Sequence, residues 1–288
     1  MFGRDGRDGY PAGVPCFVDT QQPDPAAATE FYGGLFGWDF EDRMPPEAPG
    51  HFFAARLDGR EVAAIASQDG APQAPAWMTY IAVDSADATA AAVWAAGGSV
   101  LAEPMDVFAA GRMAICADPQ GAVFGLWQAG RHKGAQIVNA PGSWNWSNLH
   151  TSDVAGAQAF YGAVFGWEPT PVRFGPSEAT MWRLPGYGET LEQFDPGIRK
   201  RHVDAGAPTG FSDAIGWLME LTPEEVADGV APHWAVTFAV DGTDASAERA
   251  HALGGAIVTA PHAAGPTRVA SLRDPQGATF SVSTYTPG

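Results

Sequence analysis

The sequence predicts an α+β fold made by internal duplication, and three repeated stretches predict it. PDPAAATEFYGGLFGW (23–38) and SDVAGAQAFYGAVFGW (152–167) match without a gap, with Phe31 and Phe160 standing 129 residues apart. ADPQGAVFGLW (117–127) matches RDPQGATFSVS (273–283) at an offset of 156, and YIAVDSADATAAAVWAAGGSV from Tyr80 matches TFAVDGTDASAERAHALGGAI from Thr237 at 157. Within each copy the order reads strand, helix, short strands, and then the same again. Helices gather on one side of mostly antiparallel strands, so the class is α+β.

Residues 1–13 hold charges and glycines with no apolar run, which reads as a flexible tail and not a signal peptide, with the cytoplasm as the expected location. The run 14–20 has the length and apolar content of a strand. After it, Asp24 is placed to cap a helix, Pro25 suits the first helical position, and an alanine-rich amphipathic run continues to Phe36 and Gly37. A strand over 78–83 leads into a helix ending at Gly97-Gly98, where glycine supplies the left-handed residue of a C-cap. Asp118-Pro119-Gln120-Gly121 has the residue order of a type I turn joining two strands.

A linker over 129–143 then separates domain 14–128 from domain 144–288. The second copy repeats the plan, with a strand over 144–150, a helix capped by Asp153, a strand over 234–240, a helix ending at Gly254-Gly255 and a turn at Asp274-Pro275-Gln276-Gly277. The growth of the offset from 129 to 156 puts an insertion of about 27 residues in this copy, assigned to 186–232.

Composition narrows the function. With 288 residues, 45% hydrophobic and 17% charged, the chain is globular, and no apolar run approaches a membrane span. A formal charge of −17 repels phosphate backbones and anionic lipid, which argues against nucleic acid and membrane partners. Cys16 and Cys116 each sit in an apolar strand-like run without metal or disulfide spacing, as buried free thiols do. The 10 Trp and 16 Phe serve either a core or an apolar ligand pocket.

FYGGLFGW, FYGAVFGW and the two DPQG turns resemble the vicinal oxygen chelate superfamily of glyoxalases, bleomycin-resistance proteins and extradiol dioxygenases. The resemblance covers nearly all of the chain outside the tail and linker. It is nearest to the tandem glyoxalase-like proteins of actinobacteria, some described as hydroxylases and some found beside aromatic polyketide pathways. It implies four βαβββ modules, two per half, whose sheets curl into open cups. It also implies metal ligands at fixed cup positions, which here hold Phe17 and Trp146, Met78 and Ala235, Gly125 and Ser281, and a site near Ala64 or Ile65. A divalent ion needs nitrogen or oxygen donors. The expectation is therefore no metal and no other cofactor.

Strand alternation puts Trp146, Asn148 and His150 on one face, and His233, Ala235 and Thr237 on another. His150 and His233 are read either as an acid/base pair or part of a displaced metal site, or as ordinary hydrogen-bonded and loop histidines. Asp19, on the face of Phe17, is a third catalytic candidate or a solvated strand-end carboxylate. Phe17, Met78, Tyr80, Trp127 and Trp146 form an expected stacking set for a flat ligand, with Tyr80, Asn148, Thr237 and Ser281 as orienting groups; the alternative is that side chains simply fill the cups. Arg112 and Arg268 occupy matching places and are assigned to a shared bond with a carboxylate or strand end rather than a ligand. His251 and His262 are expected to be solvated. The cluster Arg199-Lys200-Arg201-His202 lies in the insertion, which reads as a lid over the second cup or as an extension packing the halves.

The leading expectation is a metal-independent protein binding a flat aromatic natural product, for sequestration, resistance or delivery to a partner enzyme, as monomer or homodimer. The alternative is an enzyme of aromatic polyketide metabolism, a hydroxylase-like oxidoreductase, lyase or isomerase. A metal-dependent glyoxalase or dioxygenase is the third.

Overall fold

The computed structural model of the chain describes residues 9–68, 74–174 and 177–286. The first module is β1 (Pro15–Gln22), α1 (Pro25–Phe36), β2 (Asp39–Asp42), β3 (Phe52–Leu57) and β4 (Arg60–Ser67). The second is β5 (Trp77–Ala82), α2 (Ala86–Ala95), β6 (Ser99–Val107), β7 (Gly111–Ala117) and β8 (Val123–Ala129). The third begins with β9 (Trp144–Thr151), α3 (Val154–Phe165), β10 (Glu168–Phe174) and β11 (Ser177–Arg183). It continues through α4 (Tyr187–Phe194), α5 (Ile198–Asp204) and a 3-10 turn (Phe211–Asp213) to β12 (Ala214–Glu220). After α6 (Pro223–Ala227) the fourth is β13 (His233–Ala239), α7 (Thr243–Ala252), β14 (Ala256–Ala264), β15 (Thr267–Arg273) and β16 (Thr279–Tyr285). Among the described residues no helix is long and apolar enough to cross a membrane.

Local chemistry sets the helix ends. Asp24 accepts the N–H of Ala27 at 3.0 Å, Asp153 accepts that of Gly156 at 2.9 Å, and Gly37 and Gly166 close the two helices at φ 75° and 71°. Arg112 bonds Asp87 at 2.8 and 2.9 Å, and Arg268 bonds Asp244 at 2.7 Å, each tying a β strand to the start of the helix in its own module. Both arginines therefore serve a carboxylate, in matching places.

Each half forms one eight-stranded mixed sheet, β2-β3-β4-β1-β5-β8-β7-β6 and β10-β11-β12-β9-β13-β16-β15-β14. Strands β1 and β5 pair antiparallel at the centre of the first, and β9 and β13 at the centre of the second. Modules thus pair within a half to make a sheet, whereas the helices pack across halves. Phe31, Tyr32, Phe36 and Trp38 share one core with Phe238 and Phe280, and Val93 and Phe124 share another with Phe160, Tyr161 and Trp167. The sheets meet where the Thr79 and Ser147 hydroxyls lie 2.6 Å apart, so the opposite faces, which carry Tyr80 and Trp146, point away from each other.

The repeated motifs form one reciprocal lock. Tyr32 donates to Asp274 at 2.9 Å, and Tyr161 donates to Asp118 at 3.2 Å, each reaching the turn of the other half. Gln276 bonds the backbone N–H and carbonyl of Asp24 at 2.7 Å each, while Gln120 accepts from the Thr151 and Ser152 hydroxyls at 3.0 Å. In each glycine pair the first residue caps the helix and the second makes room. A Cβ on Gly98 would stand 2.9 Å from the ring of Phe160, and one on Gly255 would stand 3.0 Å from that of Phe31. Burial raises the Asp118 carboxyl above its ordinary value, against its backbone hydrogen bonds.

Two boundaries need correction. Of the expected flexible tail 1–13, residues 1–8 lie outside the described residues, but 9–13 are held: Tyr10 donates to the Ala135 carbonyl at 2.7 Å, Gly13 donates to Ala82 at 2.8 Å, and Trp167 donates to Gly13 at 2.7 Å. The insertion of about 27 residues lies within 186–232 as expected, but the far part of that stretch belongs to the core, because β12 pairs parallel with β9 as β4 does with β1. The inserted helices α4 and α5 lie between β11 and β12, where the first half has only the turn between β3 and β4.

Candidate functional site

Side chains on alternate positions of the central strands line two concave faces. On the first, Phe17 and Asp19 of β1, Tyr80 of β5 and Trp127 of β8 are 5 to 8% exposed, so this face is filled. The Tyr80 ring lies across Gly125, where a Cβ would come within 2.2 Å of it, and its hydroxyl donates to Asp19 at 3.0 Å. Trp127 lies against Gly111, where a Cβ would come within 2.6 Å, and its indole N–H donates to the His132 carbonyl at 3.0 Å.

The segment after β8 docks onto this face. His132 stands edge-on to Phe17 at 4.6 Å and bonds Glu61 at 2.8 Å; Ala135 donates to Cys16 at 2.8 Å and Gln136 to the Glu61 carbonyl at 2.7 Å. Residues expected as a linker therefore close the first face. Asp19 is not a solvated strand-end carboxylate: burial pushes it up to about 7, opposed by the Tyr80 hydrogen bond and by His132. The expected stacking set is likewise divided. Phe17, Met78, Tyr80 and Trp127 belong to the first face, where side chains fill the space, and only Trp146 belongs to the second.

At three matching positions the second face holds smaller groups, whereas Trp146, Ser281 and Trp217 stand where the first face has Phe17, Gly125 and Ala64. Tyr80 is matched by Thr237, Trp127 by Ser283, Met78 by Ala235 and Asp19 by Asn148. Trp146, Asn148, His150, Trp217, Ala235 and Ser281 are all partly exposed, His233 is exposed, and Thr237 is buried. Trp146 meets Trp217 edge-on at 6.2 Å and Phe211 at 6.0 Å, over buried Met181 and Val172. Phe211 comes from the inserted segment and is met in turn by the His202 ring at 5.1 Å, with His202 Nδ1 3.0 Å from the Ser212 hydroxyl. The rest of the basic cluster is engaged locally, Lys200 with Asp204 and Arg201 with Asp195.

Ser281 lies 3.3 Å from the Ser271 hydroxyl. Asn148 Oδ1 is shielded from solvent and has no hydrogen-bond partner among the described residues. At the rim the His150 and His233 rings stack, 4.8 Å apart and 8° from parallel. Burial pushes His150 down to about 4, His233 adds to the shift, and Glu225 opposes it, so His150 is neutral near pH 7. His233 Nδ1 lies 2.8 Å from the Ala231 carbonyl, an acceptor, which leaves Nε2 as the acceptor of a neutral ring. His251 and His262 are exposed and contact only nearby backbone carbonyls.

Sequence reading missed Trp217, Phe211, His132 and Glu61. Taking the run 214–220 as the counterpart of 60–67 would have put Trp217 on the second face; the others depend on how loops dock. The residues present do not fit a divalent metal. The expected ligand positions carry hydrocarbon, thioether, glycine or a single serine hydroxyl, and among the described residues no three His, Cys, Asp or Glu are grouped to hold an ion. A crevice of about 230 Å³ between Gly13, Ser85 and Phe165 lies at the junction of the halves, away from both faces.

The sequence profile of the Glyoxalase/Bleomycin resistance protein/Dioxygenase superfamily matches residues 18–126, and that of a glyoxalase-like domain matches 146–283. Among curated relatives, CFP32 of Mycobacterium tuberculosis, provisionally named a glyoxylase, is 41% identical over 282 residues, covering 96% of each chain. The anthracycline biosynthesis protein DnrV of Streptomyces peucetius is 35% identical over 289 residues, covering 95% of this chain and 94% of that one. In fold, the chain is similar to a Mn(II)-bound glyoxalase from Novosphingobium aromaticivorans, with a TM-score of 0.58 at 17% identity over 95% of this chain and 82% of that one. It is also similar to the 2,3-dioxygenase LapB from Pseudomonas sp. KL28, with a TM-score of 0.57 at 13% identity over 96% and 93%. The reciprocal lock, the four modules and these matches agree: the chain belongs to the glyoxalase, bleomycin-resistance and dioxygenase superfamily, with two glyoxalase-like halves in tandem.

Proposed function

We propose that the second concave face binds a flat, largely apolar aromatic molecule without a metal, and that the first half is its filled structural partner. One observation carries this reading. The aromatic side chains Tyr80 and Trp127 that fill the first face are matched by Thr237 and Ser283 on the second, while Trp146, Trp217 and Phe211 remain there to stack. A relative named for anthracycline biosynthesis supports a planar natural product, and with it sequestration, resistance or delivery to a partner enzyme in secondary metabolism.

Titration with planar aromatics in chelator-containing buffer, followed by tryptophan fluorescence, is expected to saturate. Trp146→Ala is expected to weaken binding about 10-fold, the loss of one stacking partner. A panel without saturable binding, or binding that the chelator abolishes, would overturn the proposal.

A second reading, proton transfer at the same face by a lyase or isomerase, is favoured by the neutral, partly exposed His150 stacked on His233. A neutral imidazole at pH 7 is competent as a base. On this reading His150→Gln lowers turnover of a bound ligand by 10²-fold or more while Trp146-dependent binding persists. Unchanged turnover in that variant removes the role.

A further inference from the structure

The first half already contains a phenol bound on its concave face. The hydroxyl of Tyr80 donates to Asp19 Oδ2 at 3.0 Å, with the ring against Gly125. The second half keeps the acceptor as Asn148, whose Oδ1 is shielded and unpartnered, but has Thr237 where the phenol would be. Thr237 is itself buried and too short to carry a ring to Asn148. On β13 the residue paired with Asn148 is Ala235, where the first half pairs Asp19 with the longer Met78.

We propose that the ligand of the second face is a planar aromatic with a free phenolic hydroxyl, which donates to Asn148 Oδ1 as Tyr80 donates to Asp19, while its ring stacks beside Trp146 and Trp217. This rests on the binding reading above and names the chemical class that the face selects. A carbonyl oxygen of an amide is an acceptor only, so the group that satisfies it must be a donor, and leaving it unmet in the free protein favours a ligand that meets it. An apolar isostere of the same shape leaves the acceptor buried and unpaired, and sites of that kind discriminate strongly between hydroxyl-bearing and hydroxyl-free ligands.

The hydroxyl is bound as the phenol and not the phenolate. A phenolate oxygen has no proton to donate, and it would face the carbonyl dipole of Asn148 in a chain of formal charge −17. The charged groups around the face include Arg183 of β11, which is paired with Glu168 at 3.0 Å. His150 on β9 is held neutral, His233 on β13 stacks on it, Glu225 of α6 interacts with both, and His202 of α5 is held below its ordinary value by burial and by Arg201.

The test compares 2-hydroxyanthraquinone with 2-methoxyanthraquinone, read by tryptophan quenching of the full chain. At a pH below the phenol's ionisation the hydroxy probe is expected to bind at least about 10-fold more tightly. Its affinity is expected to fall as the pH rises through the phenol's ionisation, while that of the methoxy probe stays level. Asn148→Leu is expected to abolish the preference. Thr237→Tyr, which supplies a phenol from the chain itself, is expected to exclude both probes, with thermal melting confirming that each variant is folded. Equal binding of the two probes by the wild-type protein, or a preference that survives Asn148→Leu, overturns this inference and leaves the binding reading standing. Binding of neither probe, in a protein that also fails the wider aromatic panel, overturns both.

Discussion

Asp274→Ala is expected to remove about 3 kcal/mol or more of unfolding free energy, the largest single loss available outside the aromatic cores. The carboxylate is 4% exposed and serves five donors. Oδ2 accepts from Tyr32 at 2.9 Å and Gln22 at 2.8 Å, and Oδ1 accepts from the backbone N–H groups of Gln276, Gly277 and Ala278 at 2.8 to 2.9 Å. Alanine leaves all of them without this acceptor, the Tyr32 hydroxyl among them, which also receives the Trp77 indole N–H at 3.0 Å in a core shared by both halves. For a chain of this size about 3 kcal/mol lowers the melting temperature by roughly 6–12 °C. Tyr32→Phe is expected to cost less, because it leaves the turn intact, and the double variant is expected to cost less than the two single losses together. A melting temperature within 2 °C of wild type for Asp274→Ala would show that the lock is not what joins the halves.

Asp19→Asn is expected to act in the opposite direction, stabilising the protein at neutral and alkaline pH. Asp19 rises from an ordinary value of 3.8 to about 7 in the folded chain, first because burial disfavours the charge, with the Tyr80 hydrogen bond and His132 opposing. Between those two values the native state holds a proton that the unfolded state has released. Stability contributed by this group is therefore full below pH 4, falls as the pH rises toward 7, and is level above it. At 1.36 kcal/mol for each unit of difference, ionised Asp19 costs the wild-type fold about 4 kcal/mol at pH 8. Asparagine keeps an acceptor for Tyr80 and never ionises, and it is the residue that the second half carries at the matching position, Asn148. Denaturant unfolding at pH 4 and pH 8 checks this: the two proteins should agree at the lower pH and separate at the higher. A separation independent of pH, or a less stable variant at pH 8, would contradict it.

Much of the fold was legible because its signals are local. Asp24 and Asp153 announce their helices through one side-chain bond three residues on, and the DPQG turns announce their hairpins through residue order. The strand faces were equally legible, since alternation places Phe17 with Asp19 and Trp146 with Asn148 and His150 from spacing alone. The flexible tail and the far bound of the insertion were misread for the opposite reason. Tyr10 is held by Ala135 across 125 residues, and β12 is a core strand only because β9 pairs with it. Neither contact leaves a mark in its own neighbourhood.

The sequence by itself determined the duplication, the α+β class and the absence of donor side chains at the positions where the family resemblance implies metal ligands. The tertiary structure alone decided that sheets form within halves while helices pack across them, that Tyr32 with Asp274 and Tyr161 with Asp118 bind the two copies to each other, and that the two concave faces are unequal. That inequality is a matter of volume and reach. Whether a cup is full depends on a Tyr80 ring lying over Gly125, 45 residues away, and on His132 returning to Phe17 and Glu61. Such contacts between distant residues are set by packing, which spacing along the chain does not encode.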